Sequence, residues 1–512
     1  MLDSLSLKNF KAFENLSELK VAPVTVLCGT NSSGKSTLLQ SILMWKQSLE
    51  SQNLDQVLLL NGRLIHLGSF SNIVHGKEFG TSVSMAFRYC FGARELSGSQ
   101  RNRRSLPAAF FLRDLVPRVE DQRSRSARPS EDRFRIEYSV TLKAKEPQAW
   151  TSAGATPVVV EAVELAAFKE GSNGEVVPGA RIQLEASAAG RYNVKWWNVR
   201  PRSSREEFPV DGEAKSIGVE FANLVPQFPQ IRSSEDQRIA LPVFAMFGRV
   251  AEILRAIHGS FSYIGPLRDE PARRYIYEDE VVEIGVKGEN APYLFLSEGD
   301  NMLDRMWFRD YATEEFTCVE RLTLGSAMIR WMKEMGVSGF GAETTNEIIR
   351  LLVLSREGEK ARVNIADVGF GVSQIFPILL EGLRMPAGHT LILEQPEIHL
   401  HPELQMKLAD YIVSLALSGR RAIVETHSDH FVNRLVRRII EDESSSLQDL
   451  IRMYFVKRAP LGSTGSVVEG VDVDPRHGIT NWPAGFFDQQ AAEQESIVRA
   501  GLKKRAQGSS ET

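Results

Sequence analysis

The sequence has few cysteines and no long apolar segment, and these absences exclude several classes of protein. The 512 residues include three cysteines, Cys28, Cys90 and Cys318, whose spacing fits neither a disulfide framework nor a zinc site. No run of about 18 apolar residues occurs, and the N-terminus lacks the basic, apolar and small-residue pattern of a signal peptide. We therefore expect a soluble, cytoplasmic protein with no membrane partner.

The chain also lacks a strong charge imbalance and any sustained heptad pattern. Its net charge is −4, so there is no overall nucleic-acid footprint, although local basic patches can still bind nucleic acid. The missing heptads exclude a long coiled coil. A hydrophobic content of 43% is ordinary for a globular chain, and the length predicts about three domains.

Residues 29–37 form the most informative motif of the chain. Their sequence GTNSSGKST meets the pattern G-x-x-x-x-G-K-[ST], follows an apolar run and opens a helical pattern. This order predicts a phosphate-binding loop, in which glycines let backbone N–H groups surround phosphate oxygens. Lys35 would neutralise the β- and γ-phosphates of ATP, and the Ser36 hydroxyl would bind Mg²⁺. The residues predicted to contact the nucleotide are Gly29, Asn31, Ser32, Ser33, Gly34, Lys35, Ser36 and Thr37.

Three further motifs lie more than 300 residues downstream. The first is the glycine-containing segment 367–374, which leads into a helical pattern. The second is an apolar strand pattern ending in Glu394, whose carboxylate can reach Mg²⁺ at the C-terminal edge of a parallel sheet. The third is another short strand pattern followed by His427, a candidate for contact with phosphate.

This order of motifs resembles the ABC-type ATPase head, and more closely the RecF, SMC and overcoming-lysogenization-defect (OLD) branch, whose head is split by an insertion. The opening segment 5–13 is similar to the start of that branch, and 397–402 is similar to its PExHLHP run. The segment 478–488 looks like the C-terminal part of a bacterial subgroup of AAA-family P-loop ATPases. The resemblance covers roughly residues 1–95 and 260–490. It implies an α/β fold, a split P-loop ATPase head with a mixed, mainly parallel sheet, interrupted by a β-rich and helical insertion.

The resemblance also implies roles for the motif residues. In such families the signature of one protomer contacts the nucleotide held by the P-loop of the other, so that two heads enclose two ATP molecules. The signature residues expected to act in this way are Gly371, Ser373 and Gln374. Glu394 would hold Mg²⁺ with Ser36, and His427 would lie near the γ-phosphate. Capping of the following helix by Ser373 is an alternative, and the two roles are compatible.

The chain departs from the family at the end of the strand that carries Glu394. The usual order there is Asp and then a Glu that polarises the attacking water, but Gln395 occupies the second position. A glutamine can orient water through hydrogen bonds but cannot accept its proton. Either Gln395 positions the water or Glu397 replaces the missing base, and His427 completes the predicted catalytic set. We expect slow hydrolysis, with ATP binding acting mainly as a dimer switch.

Changes of composition along the chain predict its organisation. The expected segments are an ATPase half with the P-loop (1–93), an Arg-rich loop (94–134), a β-rich insertion (135–240), a helical part of the insertion (241–345), the second ATPase half (346–490), and a C-terminal helix and tail (491–512). Within the insertion, amphipathic spacing predicts helices over 240–262 and 300–335.

Several features of the insertion have two interpretations. The segment 94–135 has eleven arginines against six acidic residues, which fits either a solvated loop or a phosphate grip for DNA or RNA. Trp196 and Trp197 lie on a strand pattern between basic residues, where they either pack or stack on bases. Arg268 and Arg273 follow a Gly-Pro turn and either reach phosphate or pair with acidic residues nearby in the sequence.

Two patterns that suggest other sites have simpler explanations. The run 397–401 contains metal-ligand residue types, but it lies where the family has a loop at the dimer interface. The acidic segment 468–474 is similar to a TOPRIM nuclease motif, yet roughly forty residues follow it, too few for a domain of usual size. We expect a closing hairpin there.

Together these patterns predict an ATP- and Mg²⁺-dependent ABC-type ATPase that forms a homodimer or higher oligomer and regulates a separately encoded effector. The resemblance suggests DNA maintenance or anti-phage defence. An interaction module in which ATP is a structural ligand is the alternative from another class, and Gln395 is the residue that favours it.

Overall fold

The computed structural model describes residues 1–92, 133–145, 158–171, 175–188, 190–198, 212–227, 234–276, 283–345, 347–354, 361–368, 370–460, 465–481 and 489–508. The chain forms two compact units. The first comprises Met1–Val21, Ser36–Ser262 and Ala459–Ser466, and the second comprises Ala22–Lys35, Tyr263–Arg458 and Val467–Thr512. Among the helices in the described part of the chain, none combines the length and apolar character needed to cross a bilayer.

The strands are numbered in chain order. They are β1 (Leu2–Phe10), β2 (Phe13–Lys20), β3 (Val24–Gly29), β4 (Val83–Gly92), β5 (Arg133–Ala144), β6 (Val158–Glu170), β7 (Val176–Ala188), β8 (Arg191–Trp197), β9 (Lys215–Gly218), β10 (Glu220–Ala222), β11 (Val225–Gln227), β12 (Phe261–Ile264), β13 (Tyr275–Ile276), β14 (Met302–Leu303), β15 (Met306–Asp310), β16 (Glu315–Val319), β17 (Leu322–Thr323), β18 (Gly341–Thr345), β19 (Ile348–Leu354), β20 (Arg362–Asn364), β21 (Thr390–Glu394), β22 (Arg421–Glu425), β23 (Ile451–Arg458), β24 (Ser466–Val471), β25 (Val473–Asp474) and β26 (Gly478–Ile479).

The helices are numbered in the same way. They are α1 (Lys35–Glu50), α2 (Ser234–Gly259), α3 (Ala291–Glu298), α4 (Leu324–Glu334), α5 (Phe370–Arg384), α6 (Pro402–Leu417), α7 (Asp429–Glu441), α8 (Ser446–Leu450) and α9 (Gln489–Gly508), with short 3₁₀ turns at Phe70–Asn72, His75–Lys77 and Ile365–Asp367.

The first unit is built on an antiparallel sheet of eight strands in the order β2-β1-β4-β5-β6-β7-β8-β9. Apolar and polar residues alternate along these strands, so that one face is buried. On β4 every second residue from Val83 to Phe91 is buried, and the residues between them are partly exposed. Strands β5 to β9 of this sheet lie in the insertion and confirm the β-rich segments expected there.

The paired tryptophans of β8 pack within this unit. Trp196 is fully buried in the sheet's core. Trp197 points to the other face, where the guanidinium of Arg181 lies 5.0 Å from its ring centroid. The packing interpretation of Trp196 is therefore confirmed, and the cation–π contact occupies one face of Trp197. The Arg-rich stretch 94–132 lies outside the described residues.

The second unit contains a six-stranded sheet in the order β12-β21-β22-β3-β23-β24. The four central strands, β21, β22, β3 and β23, run parallel. Strands β3, β21 and β22 are mainly apolar and buried, as expected for strands covered on both faces, whereas β23 exposes Arg452 and Arg458. Buried residues of α5, α6 and α7 complete one hydrophobic core with these strands, including Tyr411, whose ring packs edge-on against Trp331 at 5.0 Å.

The expectation of a continuous helix over 300–335 is wrong for its first part. Four short strands, β14 to β17, precede α4 there. The segments β15 and β16 form a hairpin, and Asp310 stabilises its turn by accepting hydrogen bonds from the backbone N–H groups of Ala312 and Thr313. Met306 and Phe308 are buried on one side of the hairpin, which gives the period of two typical of strands.

Two other expectations about elements are met. Helix α2 covers the predicted segment 240–262 almost completely. The acidic segment near the C-terminal part of the chain ends in the antiparallel pair β25–β26, where Val473 lies opposite Ile479 and Asp474 lies opposite Gly478. This pair is the closing hairpin expected for that segment.

A fully buried carboxylate ties α6 to α7. Asp410 accepts hydrogen bonds from Nε of Arg438 at 2.6 Å and from the hydroxyl of Tyr311 at 3.1 Å. The guanidinium of Arg434 lies 3.4 Å from the same carboxylate. Its negative charge also contributes, after burial, to a raised pKa of Tyr311. A buried ion cluster of this kind is strongly destabilising to break, because a charge is left without its partner.

We predict that Asp410→Ala lowers the free energy of unfolding by about 3–5 kcal/mol, since it removes the buried carboxylate that Arg434 and Arg438 share and leaves Arg438 with the partly exposed Glu441. Urea unfolding followed by circular dichroism measures this change. Glu403→Ala is the matched control on the same helix, because Glu403 is exposed and pairs with Lys407 at 2.8 Å. Removing such a surface pair costs below about 1 kcal/mol. Equal effects of the two substitutions would contradict the prediction.

Candidate functional site

The segment between β3 and α1 is a tight loop that needs glycine at both ends. Gly29 has φ +141°, and Gly34 has φ +102°, a backbone region that side chains with a Cβ rarely adopt. At Gly29 a Cβ atom would lie 2.1 Å from the carbonyl oxygen of Val456 on the neighbouring strand β23. The loop therefore takes its shape from close backbone contact with the sheet.

Lys35 closes this loop on itself. Its Nζ donates hydrogen bonds to the carbonyl oxygens of Gly29 at 3.1 Å and Thr30 at 2.8 Å, and its side chain is buried. Burial lowers the pKa of Lys35, whereas the nearby charges of Glu425, Cys28 and Glu397 act in the opposite direction. The ammonium group thus lies among oxygen atoms and close to two carboxylates.

Another side chain of the loop supports a ligand at this place. Ser33 is fully buried, and its Oγ has no hydrogen-bond partner in the described part of the chain. A buried hydroxyl without a partner is unfavourable, and a ligand oxygen would satisfy it. Asn31 and Ser32 are exposed at the tip of the loop, where Ser32 has φ +57°. Ser36 and Thr37 follow Lys35 in the first turn of α1.

Two carboxylates end neighbouring parallel strands beside this loop. Glu394 of β21 lies opposite Glu425 of β22, and Glu425 lies opposite Leu27 of β3. The hydroxyl of Tyr263 donates a hydrogen bond of 2.8 Å to Oε2 of Glu394. Burial and the charge of Glu394 raise the pKa of Tyr263. Mg²⁺ is usually bound by one or two carboxylates together with substrate phosphates, which fits the donor type at this edge.

The turn after β21 carries both candidates for the catalytic base. Gln395 has φ +45°, and its backbone N–H donates to the carbonyl oxygen of Glu425 at 2.8 Å. Its side chain is half-buried. Glu397 is turned towards the sheet edge, where its Oε1 accepts a hydrogen bond of 2.5 Å from the backbone N–H of His427. Its Oε2 is buried without a hydrogen-bond partner among the described residues.

The ionisation of this group reflects its burial. Burial raises the pKa of Glu397, and the hydrogen bond from His427 opposes this shift. Burial lowers the pKa of His427, and the positive charge of Lys35 lowers it further. The positive charge of Lys35 therefore acts on both Glu397 and His427, and it favours the neutral form of the imidazole. Such shifted groups in one place are typical of functional sites.

The signature segment faces the inside of its own unit. Ser373 is buried near the start of α5, and Gln374 is only 1% exposed. The Oε1 of Gln374 accepts a hydrogen bond of 3.1 Å from Nε of Arg268. At Gly371 a Cβ atom would lie 3.1 Å from the carbonyl oxygen of His399, so the helix start lies close to the turn after β21. The predicted contact with a second protomer's nucleotide stays a prediction.

The two arginines after the Gly-Pro turn differ in their surroundings. Arg268 is buried and also donates to the carbonyl oxygens of Pro396 at 3.3 Å and Ile398 at 3.5 Å. Arg273 is exposed and forms a two-point ion pair with Asp367, the first residue of the signature segment, at 2.5 and 3.1 Å. Arg268 is therefore hydrogen-bonded to both the signature segment and the turn after β21, and Arg273 is hydrogen-bonded to the signature segment.

Sequence reasoning missed two polar groups at this site. Glu425 lies one strand away from Glu394 in the same register and is 1% exposed, and Tyr263 binds Glu394. The signal for Glu425 was available, because a carboxylate ends the apolar run 422–424 just as Glu394 ends its own strand. No sequence signal connects Tyr263 with Glu394, since 131 residues separate them.

Comparison with known families supports the ATPase assignment. A family model described as an AAA ATPase domain matches residues 1–88 and 316–432, about two fifths of the chain. The matched segments contain the P-loop, the signature, Glu394 and His427. The chain is thus similar to an ATPase domain in two stretches separated by an insertion, and the expected fold class is confirmed. No curated protein matches the chain at a significant level.

Several solved structures are similar at low identity. One is the SMC head domain from Thermotoga maritima, with 10% identity, a TM-score of 0.33, and coverage of 92% of this chain and 99% of that one. Another is an SMC head bound to the C-terminal winged-helix domain of ScpA, with 10% identity, a TM-score of 0.34, and coverage of 92% and 98%. A third is an SMC head with an extended coiled coil bound to the C-terminal domain of ScpA derived from Pyrococcus furiosus, with 10% identity, a TM-score of 0.31, and coverage of 92% and 96%.

We predict that Gly29→Ala weakens ATP binding by at least about tenfold, because the new Cβ overlaps the carbonyl of Val456 and forces the loop to move. Gly470→Ala is the matched control, since no atom lies within 4 Å of a Cβ built there. Fluorescence titration with a labelled ATP analogue measures both affinities, and circular dichroism checks that both variants fold. Unchanged binding by Gly29→Ala would show that the loop is not the nucleotide site.

Proposed function

We propose that the chain binds ATP together with Mg²⁺ and hydrolyses it slowly. The observation that carries this proposal is the position of the P-loop lysine beside the strand-end carboxylates. Lys35 is buried at the end of the loop after β3, and Glu425 and Glu394 end the two parallel strands that follow β3 in the sheet, β22 and β21. A cation and two carboxylates at one sheet edge suit a triphosphate and its metal ion, as in other P-loop enzymes.

Each residue has a role that follows from its surroundings. Lys35 would leave the carbonyls of Gly29 and Thr30 and donate to the phosphates, which are stronger acceptors. Glu394 would bind Mg²⁺, and the hydroxyl of Tyr263 would hold the orientation of its carboxylate. Mg²⁺ held by Glu394 would supply positive charge to offset the charge that develops on the phosphates.

Glu397 is the better of the two candidates for the general base. A base is most effective when its pKa lies near the working pH, and burial raises the pKa of Glu397 towards that range. The N–H of His427 holds one carboxylate oxygen and leaves the other available for a water proton. Gln395 cannot accept a proton, so we assign it the orientation of the same water.

We further propose that two such chains associate through their ATPase heads around ATP and act on a separately encoded effector. The support for this step is the sequence signature 367–374 and its resemblance to families that work in this way. DNA maintenance and anti-phage defence are the processes in which we would look for the effector. The buried position of Gln374 leaves Gly371, which is partly exposed, as the better candidate for contact with a partner's nucleotide.

The second candidate is a scaffold that keeps ATP as a structural ligand without hydrolysing it. Gln395 at the usual position of the catalytic Glu favours this alternative. The buried carboxylate of Glu397 favours hydrolysis. Measurement of turnover decides between the two.

We predict a measurable ATP turnover in the intact chain that Lys35→Ala removes. Glu397→Gln should lower the rate by roughly 10²–10⁴-fold, the usual contribution of a general base, while ATP still binds. Gln395→Ala should have a smaller effect, of about tenfold, because it removes only the orientation of water. Phosphate release is measured at several protein concentrations with and without duplex DNA, and a rate per protomer that rises with concentration supports the dimer.

Two outcomes would contradict this assignment. If Glu397→Gln keeps most of the turnover and Gln395→Ala removes it, the glutamine and not the glutamate governs the reaction. If ATP binds but no rate exceeds that of Lys35→Ala, the scaffold is the correct alternative.

A further inference from the structure

Arg268 is a buried cation that connects two parts of the second unit which carry different motifs. Its side chain is 6% exposed, and burial lowers its pKa to about 10. Nε donates to the side chain of Gln374 at the start of α5. One terminal nitrogen donates to the carbonyls of Pro396 and Ile398 in the turn after β21. A guanidinium can form such a fork, because its donors lie in one fixed plane.

The two carbonyls that Arg268 binds lie on either side of Glu397. The carbonyl of Pro396 belongs to the peptide plane directly before Glu397, and the carbonyl of Ile398 belongs to the plane one residue further on. Arg268 thus restrains the backbone before and after Glu397, and with it the direction of the side chain. Other hydrogen bonds also hold the turn: the N–H of Leu400 lies 2.9 Å from the carbonyl of Glu397, and Gln405 donates to the carbonyl of Leu400 at 2.8 Å. Gln395 and His399 have φ values of +45° and +64°, so the turn holds strained backbone.

The loop that carries Arg268 is itself held in place. The N–H of Gly265 donates to the carbonyl of Val286 at 2.8 Å, and the N–H of Asp269 donates to that of Lys287 at 3.1 Å. Gly288 of the same segment packs against Pro377 of α5, where a Cβ atom would lie 2.4 Å from the proline. The Arg268 loop therefore follows the position of α5.

Unpartnered groups remain at this junction. The Nη1 of Arg268 and the Oε2 of Glu397 are both buried, and neither has a hydrogen-bond partner among the described residues. A buried donor and a buried acceptor of opposite charge are each costly when left alone. The charge of each group favours the ionised form of the other, as expected for groups that lie close together.

We infer that Arg268 is a positioning residue that transmits the position of the signature helix to Glu397, and thereby decides whether the carboxylate is placed for catalysis. The inference rests on the function proposed above, because it assigns Glu397 the role of base. It adds a connection within one chain between Gln374 and the catalytic turn. Removal of either end of this connection should release the same turn.

The first test uses hydrogen exchange and does not depend on activity. Arg268→Met keeps the length of the side chain but removes the donors, and Gln374→Leu removes the acceptor. We expect each to speed exchange of the backbone amides of the 395–400 turn by about tenfold, and the double variant to speed it no further. Arg274→Met is the matched control, since Arg274 is exposed and lies in the same loop. Unchanged exchange in either variant, or additive effects, would overturn the inference.

The second test measures turnover. Arg268→Met should lower the turnover number by roughly 10–100-fold, as a misplaced catalytic group does, and leave ATP affinity within about threefold. Combined with Glu397→Gln, it should lower the rate no further. Arg268→Lys should fail to restore the rate, because one ammonium cannot span Gln374 and two carbonyls. Full rescue by lysine, or additive losses in the double variant, would exclude the positioning role.

The two tests separate this inference from the proposed function. If the wild-type rate equals that of Lys35→Ala, the proposed hydrolysis fails, and the exchange measurement still decides whether Arg268 connects Gln374 with the turn. If hydrolysis is present and the exchange of the turn is unaffected, the inference fails alone.

Discussion

In the second unit, backbone hydrogen bonds hold Glu394 opposite Glu425 and Glu425 opposite Leu27, so that three parallel strands end at one edge. Lys35, Glu397 and His427 each follow one of these strands within a few residues. A shift of one residue in this register would turn each strand-end side chain to the other face of the sheet. The site therefore depends on strand pairing, and the apolar strand residues that secure the pairing are also what brings the charges together.

The charged groups at this edge lose hydration because they are wholly or partly buried. Lys35, Glu397 and Arg268 all lie away from water, and burial opposes the charged form of each group. Part of this cost is offset by their mutual attraction and by carbonyl oxygens. What is left unsatisfied, such as Ser33 Oγ in the loop, is the part that a bound phosphate can satisfy. A bound phosphate would thereby offset part of the cost of burying the Ser33 hydroxyl.

The parts of this arrangement that sequence could predict are those encoded locally. The glycines of residues 29–34, the apolar strand before Glu394 and the helix after the signature each carry a pattern within about ten residues. Long-range contacts have no such pattern. Two such contacts are the hydrogen bond between Tyr263 and Glu394 and the hydrogen bonds that Arg268 donates to Gln374 and Pro396. They depend on how the segment that carries Tyr263 and Arg268 packs against the sheet. The sequence predicts helix over 302–323 where the structure has strands, because each strand is too short for its alternation of buried and exposed residues to be recognised.

The orientation of Glu397 depends on hydrogen bonds made by backbone groups around it. The N–H of His427 holds its carboxylate, and the carbonyls next to it in the chain are held by Arg268. A base placed in this way depends on the conformation of a strained turn, whereas a Glu at position 395 would follow the strand directly. Rotation of the turn costs little compared with unpairing a strand, since only a few hydrogen bonds change. Under the function proposed above, the chain would therefore use a base that a neighbouring helix can move in place of one fixed by the sheet, which would suit slow hydrolysis controlled by conformation.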